Sequence, residues 1–498
     1  MIILKLSAIA ECLNTEIIGD PNIEISGINY DSRKVGPGNL FVCIVGTKSD
    51  GHDFIQKALE KGASALLTMH QIENLPDSVA QINVPDTREA MAKVSALWYG
   101  FPCQQLRMIG VTGTNGKTTT THLIKGLLEK KDKTKIVGLI GTVHNLIGEE
   151  VLPSTHTTPE SWELSGILNQ MVERDTETVV MEVSSHALKQ NRVAGCEFDG
   201  AVFTNLSQDH LDYHLSFADY LESKLILFRN LHLGKKGGAK YAAVNGDDPL
   251  AEEFIRAAKV PVWTYGIKEK THIQATDIKI SPRGTTFNLK TNQGIYSLTT
   301  SLIGTFNVYN VLAAITVALL EDISLAEIEE YLSHAPQVAG RFELVDEGQP
   351  FPVIVDYAHT PDGLENILAT AKEITRGRLI TVFGCGGDRD RGKRPIMGEI
   401  SGKYSNFSFL TSDNPRTEDP GEIIREIEKG ISSITFSYKI IEDRGKAIEE
   451  AIKIAEPLDM VIIAGKGHEN YQLVNGKILH FDDREVARKI LHSMNFTK

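Results

Sequence analysis

The sequence predicts an α/β protein made of three consecutive units with mostly parallel sheets. Three observations predict it. The chain has 498 residues, which at about 150 residues per domain implies roughly three domains. Short apolar runs alternate with amphipathic helical stretches along the whole length. Near residue 107 an apolar strand passes through a glycine turn into a helix opening, the arrangement that cradles phosphate in parallel-sheet proteins. Tyr99-Gly-Phe-Pro102 and His334-Ala-Pro-Gln337 punctuate the chain, giving expected units of 1–102, 103–336 and 337–498.

Bulk composition narrows the class. With 41% hydrophobic and 23% charged residues, the chain can bury proper cores and is not disordered. A formal net charge of −13 without a long basic run argues against a nucleic-acid partner. Cys12, Cys43, Cys103, Cys196 and Cys385 are scattered, with no CxxC pair, which suits a reducing compartment. No run approaches 18 apolar residues, and Met1-Ile-Ile-Leu-Lys5 does not open a leader peptide. No membrane span and a cytoplasmic location are therefore expected.

In the first unit, 38–45 reads as a strand, 52–61 as a helix and 63–67 as the next strand. Asp31-Ser-Arg33 and Gly46-Thr-Lys-Ser-Asp-Gly51 are loops beside strands that could hold a ligand or be merely solvated. The second unit opens on Thr112-Gly-Thr-Asn-Gly-Lys-Thr-Thr119. Lys117 would reach outer phosphates and Thr118 would place its hydroxyl on Mg²⁺. Val111 stands where the general phosphate-loop pattern has glycine, so the loop is shortened and Gly113 does the turning. The strand 177–185 brings Glu182 to its C-terminal end, the edge where ligands gather in open α/β sheets. The strand 199–205 feeds a segment carrying Asp209, His210, Asp212 and His214. That segment reads equally as a metal or phosphate site and as a polar loop.

The helix 217–228 sets Phe217, Tyr220, Leu221, Leu225 and Phe228 on one face, and Lys224 falls on that face too. Such a lysine usually snorkels to water, but if desolvated it loses its charge easily and becomes reactive. Strands are expected at 241–246 and 260–265. A helix opens after Gly304, with Asn307 and Asn310 near its start as base-edge readers or, by default, N-caps.

The third unit repeats the rhythm, with strands at 352–356, 378–383, 407–411, 438–441 and 460–464. The polar loops 356–363, 384–394, 412–416 and 465–469 follow four of them and should share one sheet edge. Gly384-x-Gly386 lacks the third glycine of a dinucleotide fingerprint.

These motifs, in order, resemble the Mur ligases of bacterial cell-wall synthesis over essentially the whole chain. The resemblance rests on the phosphate loop, Glu182-Val-Ser-Ser-His186, Asn205-Leu-Ser-Gln-Asp-His210, Gly304-Thr-Phe-Asn-Val-Tyr-Asn310, Gly340-Arg-Phe342 and Asp356-Tyr-Ala-His359. It implies an N-terminal UDP-substrate domain, a central ATPase and a C-terminal Rossmann-like domain that brings an amino acid and closes during turnover. It implies an ADP-forming ligase that joins meso-2,6-diaminopimelate to UDP-N-acetylmuramoyl-L-alanyl-D-glutamate through an acyl phosphate, and a monomer is expected. ATP would be bound by Thr112, Gly113, Thr114, Asn115, Gly116, Lys117, Thr118, Asn307, Arg341 and Asp356. Of two Mg²⁺ ions, Thr118 and Glu182 would hold one and His210 help hold the other, while Lys224 matches a lysine carbamylated by CO₂.

The resemblance further assigns Ser32, Thr47, Lys48, Ser49, Thr157, Thr158, Ser184, Gln190 and Arg192 to the UDP-muramyl substrate. Arg389, Asp413, Asn414, Pro415, Arg416, Gly465 and Glu469 would form the diaminopimelate pocket. Arg416 would fork onto the distal carboxylate and Glu469 would face an ammonium. Ligation of L-lysine, a folylpolyglutamate-synthetase-like ligase and a phosphate-loop ATPase acting as a switch remain competing readings.

Overall fold

The computed structural model describes residues 2–494 except 47, 48, 133, 155, 211, 212, 235, 282 and 283. Thr47, Lys48 and Asp212, named above, lie outside the described residues. The strands form three main sheets, which follow one another along the chain. The first contains Gly27–Asn29, Asn39–Val42, Ala63–Thr68 and Ala80–Asn83 in parallel, with Ile17–Ile18 antiparallel at one edge. The stretch expected as helix 52–61 starts as a 3-10 turn, Gly51–Phe54, because Asp50 caps it through the amide of His52. The α-helix proper is Ile55–Glu60.

Eleven strands make the central sheet. At its heart Arg107–Thr112 lies parallel between Thr176–Glu182 and Gly200–Phe203. Register pairs Glu182 with Val111 and Phe203 with Thr112. The C-terminal ends of all three strands therefore reach one edge together. Side chains alternate between two cores, as a pleated strand requires. Ile109, Val111, Val180 and Val202 face the helices Lys117–Lys131 and Thr305–Leu320, whereas Met108, Met181, Ala201 and Phe203 face Ser161–Glu173 and Phe217–Asn230. Sequence reading did not anticipate how far this sheet extends. The strands Ile273–Ser281, Gly284–Thr291 and Gly294–Thr300 continue it, the last two antiparallel. A hairpin of Asn145–Ile147 and Glu150–Leu152 covers the opposite edge.

The third sheet holds the five expected strands in parallel: Val353–Asp356, Met460–Ala464, Leu379–Phe383, Phe407–Leu410 and Tyr438–Ile440. Glu343–Val345 runs antiparallel beside the first of them. The loops 356–363, 384–394, 412–416 and 465–469 consequently leave the same edge. The fold is three α/β units with mostly parallel sheets. No helix among the described residues is long and apolar enough to cross a membrane.

Candidate active site

The phosphate loop turns on two glycines that a larger residue could not replace. Gly113 has φ +151 and Gly116 φ +84. A Cβ on Gly113 would run into Thr204 Oγ1, and one on Gly116 into Asn310 Oδ1. Gly116→Ala should therefore weaken nucleotide binding, since left-handed backbone alone costs a non-glycine residue about 1–3 kcal/mol, or roughly tenfold or more in affinity. Calorimetric titration of ADP onto the variant checks this. Asn310 buttresses the loop and donates from Nδ2 to Asn307 Oδ1, while Asn307 Nδ2 donates to the carbonyl of Ile303. Neither asparagine caps the helix; Gly304 holds that position without a side-chain bond.

Two lysines converge behind the loop. Lys117 Nζ donates to the carbonyls of Gly113 and Thr114, at 2.9 and 2.7 Å. Lys224 Nζ donates to the same Gly113 carbonyl at 2.8 Å. Lys224 does not snorkel: it is 1% exposed, with Nζ 4.5 Å from the ring centre of Tyr220. The hydroxyl of Tyr220 in turn lies 3.1 Å from Thr114 Oγ1. Burial first, and then the charge of Lys117, push the Lys224 amine well below the usual lysine range. Burial also lowers Lys117. The helical face is narrower than its spacing suggested, since Phe217 is 40% exposed.

Glu182 is buried beside the loop. Its carboxylate accepts from Thr142 N at 2.8 Å, Thr142 Oγ1 at 3.0 Å and Thr118 Oγ1 at 3.1 Å. Thr118 and Glu182 thus offer hard oxygen ligands side by side, the donors Mg²⁺ prefers when phosphates and water complete its shell. Among the described residues no group of three His, Cys, Asp or Glu could hold a metal. His210 has left-handed backbone, φ +55, and its Nε2 lies 3.3 Å from Asp209 Oδ2. Burial, with His186, Lys117 and Lys224 nearby, pushes it down to about 3 despite Asp209. Its imidazole is neutral at physiological pH, the form that binds metal. It shares no hydrogen bond with Thr118 or Glu182.

A cavity of about 550 Å³ opens between the phosphate loop and the third sheet. Asn115, Thr118, Asn310, Arg341, Asp356 and Asp362 are among its walls. Arg341 Nη2 donates to Thr118 Oγ1 at 2.9 Å, its guanidinium lies over Tyr357, and its buried Nε has no partner among the described residues. Asp362 accepts from Asn115 Nδ2 at 2.5 Å and Ser207 Oγ at 3.1 Å. Asp356 uses its carboxylate on the amides of Phe342 and Ala358, and burial raises it. Thr112 is buried at the strand end, with an Oγ1 that has no partner among the described residues.

The expected UDP-substrate residues fall into two places. Thr157, Thr158, Ser184, Gln190 and Arg192 come together beside Glu182. Thr157 Oγ1 lies 3.1 Å from Thr142 Oγ1, and Thr158 Oγ1 donates to the Glu182 carbonyl. Ser184 caps the helix Ser185–Lys189, and Arg192 bonds Gln190 Oε1, the Thr158 carbonyl and Glu160. Ser32 and Ser49 lie on the first unit, and among the described residues neither shares a hydrogen bond with this group. Contacts absent from the sequence reading tie the units, among them Tyr30 OH to Glu163 at 2.7 Å, Asn191 Nδ2 to Asp86 at 2.9 Å and Arg88 to Glu160 at 3.4 Å.

Along the same edge of the third sheet, Arg416 has φ +53 and donates from Nη1 to the Gly387 carbonyl at 2.7 Å. Asp413 accepts from the Asn414 amide, and Gly465 approaches its Oδ2 so closely that a Cβ would lie 2.6 Å away. The Pro415 carbonyl accepts from Glu418 N. Arg389 is exposed, with Nη1 3.4 Å from the Asp388 carbonyl. Asn414 Nδ2 donates to Glu469 Oε2 at 2.8 Å. Sequence reasoning overlooked Lys466, fully buried between them; a lysine inside Gly465-Lys-Gly-His-Glu469 was the available signal.

The Mur ligase middle domain matches residues 111–318, the Mur ligase glutamate ligase domain 340–467, and the Mur ligase family catalytic domain 24–99. A protein of Syntrophomonas wolfei, named UDP-N-acetylmuramoyl-L-alanyl-D-glutamate--2,6-diaminopimelate ligase, is 50% identical over 98% of this chain and 99% of its own length. One of the same name from Caldanaerobacter subterraneus is 46% identical over 98% of this chain and 99% of its own. A solved structure of an enzyme of that name superposes with a TM-score of 0.70 at 33% identity, covering 100% of both chains. With identity at this level, over this length and across all three units, the chain belongs to the Mur ligase family.

Proposed function

We propose that the protein is an ATP-dependent ligase joining meso-2,6-diaminopimelate to UDP-N-acetylmuramoyl-L-alanyl-D-glutamate for peptidoglycan synthesis. One observation carries the reading: Arg341 and Asp362 of the third unit hydrogen-bond Thr118 and Asn115 of the phosphate loop. The unit with the amino-acid pocket is thereby docked on the unit that holds phosphates. The names of the full-length relatives support the substrates, and the units 1–102, 103–336 and 337–498 divide the labour.

In the reaction a γ-carboxylate oxygen of the dipeptide attacks the γ-phosphorus of ATP, and ADP leaves. The amine of the incoming diamino acid then attacks the acyl carbon and loses a proton, and phosphate departs with the carbon–oxygen bonding pair. Lys117 faces the phosphoryl oxygens as their charge spreads. Thr118 and Glu182 would hold one Mg²⁺ and His210 would help hold another, and the ions would supply Lewis-acid neutralisation of that charge. Burial and Lys117 lower the Lys224 amine, which favours the neutral form that takes up CO₂, and its carbamate would be an anion close to Lys117. Thr112, Gly113, Gly116, Asn307 and Asp356 complete the nucleotide site. Ser32, Ser49, Thr157, Thr158, Ser184, Gln190 and Arg192 receive the UDP-muramyl substrate, together with Thr47 and Lys48. Arg389, Asp413, Pro415, Arg416 and Gly465 surround the distal end of the diamino acid. Free cysteines throughout the chain suit work in the cytoplasm.

Purified enzyme with ATP and the dipeptide precursor should release phosphate with diaminopimelate and far less with L-lysine. A preference for lysine, ADP release driven by folate, or hydrolysis without any amino acid would each overturn the assignment. Arg416→Ala should raise the KM for diaminopimelate by about 10- to 100-fold, the worth of a charge-assisted hydrogen bond of about 1.5–3 kcal/mol, and narrow its advantage over lysine. Competition between the two amino acids measures that directly.

A further inference from the structure

Resting on the amino-acid site just described, we propose that Lys466 is a positioning residue: it holds Asn414 and Glu469 so that one carboxylate oxygen of Glu469 is left free for the ammonium of the incoming diamino acid. Lys466 follows the strand Met460–Ala464, and its side chain is 0% exposed. A buried ammonium is costly unless it is paired and hydrogen-bonded. Its Nζ lies 3.2 Å from both Asn414 Oδ1 and Glu469 Oε2, and 5.5 Å from the ring centre of Tyr471.

The triangle is lopsided. Asn414 Oδ1 also accepts from Leu473 N at 2.9 Å, and Asn414 Nδ2 donates to Glu469 Oε2 at 2.8 Å. That fixes which way the amide points and saturates its oxygen. Glu469 Oε2 receives two donors, whereas Oε1 accepts from nothing among the described residues. A purely structural ion pair gains by engaging both oxygens. Here one oxygen is left free in a side chain still 16% exposed, in the pocket with Asp413 and Arg416.

Lys466 also decides the charge of its partner. Burial and the neighbouring Asp413 push the Glu469 carboxyl up, while Lys466 and Asn414 pull it down. The other ionisable groups facing it are Tyr357, Tyr471 and Arg444, and Arg444 is spent on Asp483. His468 beside it is pushed down to about 3 by burial and nearby arginines, so it brings no charge. Without Lys466 the carboxyl would lose a partner that pulls it down and would hold a proton more readily, offering the ammonium a weaker anion.

The test is steady-state kinetics with saturating ATP and dipeptide precursor and varied diaminopimelate, from about pH 6.5 to about pH 9, with thermal melting alongside. K466M should raise the KM for diaminopimelate by about 10- to 100-fold with kcat within about threefold of wild type. The ratio of its KM to the wild-type KM should fall as pH rises, because Glu469 then ionises. K466R should recover most of the loss. E469Q should raise KM similarly with a pH-independent ratio, and K466M added to E469Q should cost at most about twofold more. Unchanged KM and pH behaviour in K466M, or a loss of melting temperature alone, would overturn the proposal. If K466M fails to fold, a wild-type KM in E469Q overturns it equally. A wild-type enzyme that does not consume the diamino acid would instead overturn the proposed function, and this assignment with it.

Discussion

Lys117→Ala is expected to abolish turnover and leave the fold intact. The ammonium now rests on two carbonyls of its own loop, those of Gly113 and Thr114. Neither bond ties together distant parts of the chain, so their loss should cost little stability. During phosphoryl transfer the same group lies where negative charge spreads. Removing one such preorganised donor costs about 10²–10³ in kcat. Lys117 also supports the bound ground-state phosphates, so kcat/KM should fall by at least about 10³. ADP release with both substrates present, measured beside a melting curve, decides the matter. A rate near wild type would remove the phosphate loop from the mechanism. The substitution should also let the Lys224 amine rise toward its ordinary range, because Lys117 is the positive neighbour that lowers it.

Lys224→Ala is the second expected loss. This side chain is buried against Tyr220 and donates to the same Gly113 carbonyl as Lys117. Its removal takes away both the contact and an amine that burial and Lys117 lower toward the neutral form able to react with CO₂. Activity should drop by about 10²–10³, the cost of removing one preorganised charge. The space left behind should admit a short carboxylate such as acetate, which would restore part of the rate. Lys224→Met fills that space and should be equally inactive without rescue. Full activity in Lys224→Met would leave this lysine a packing residue. In a crystal, electron density extending beyond Nζ would test for the carbamate directly, since carbamates are lost in mass spectrometry.

Why some of this could be read from residues alone is a matter of range. Strand and helix periodicity, glycine turns and the polar loops after strands are local. The strand Met460–Ala464 and the helix opening at Lys117 were therefore legible. Lys224 stood out because a lysine on an apolar helical face is anomalous within a single turn. Other features were not legible. Nothing local says that Asn310, almost two hundred residues on, packs against Gly116, or that Asn307 would serve Ile303 and not cap its helix. The antiparallel strands beyond Ile273 add to a sheet whose edge exists only after long-range pairing.

Chemistry-bearing residue types and their order along the chain, then, belong to the primary sequence: the phosphate loop, Glu182 at a strand end, Arg416 after a proline. Which atoms meet belongs to the packed molecule. Lys117 and Lys224 share one carbonyl only because the helix Phe217–Asn230 packs beneath the loop. Glu469 is answered by Lys466 from inside the protein, where the resemblance had given it only a substrate ammonium to face. Burial decides charge state, and burial is a property of the neighbours a residue acquires on folding, not of the residue itself.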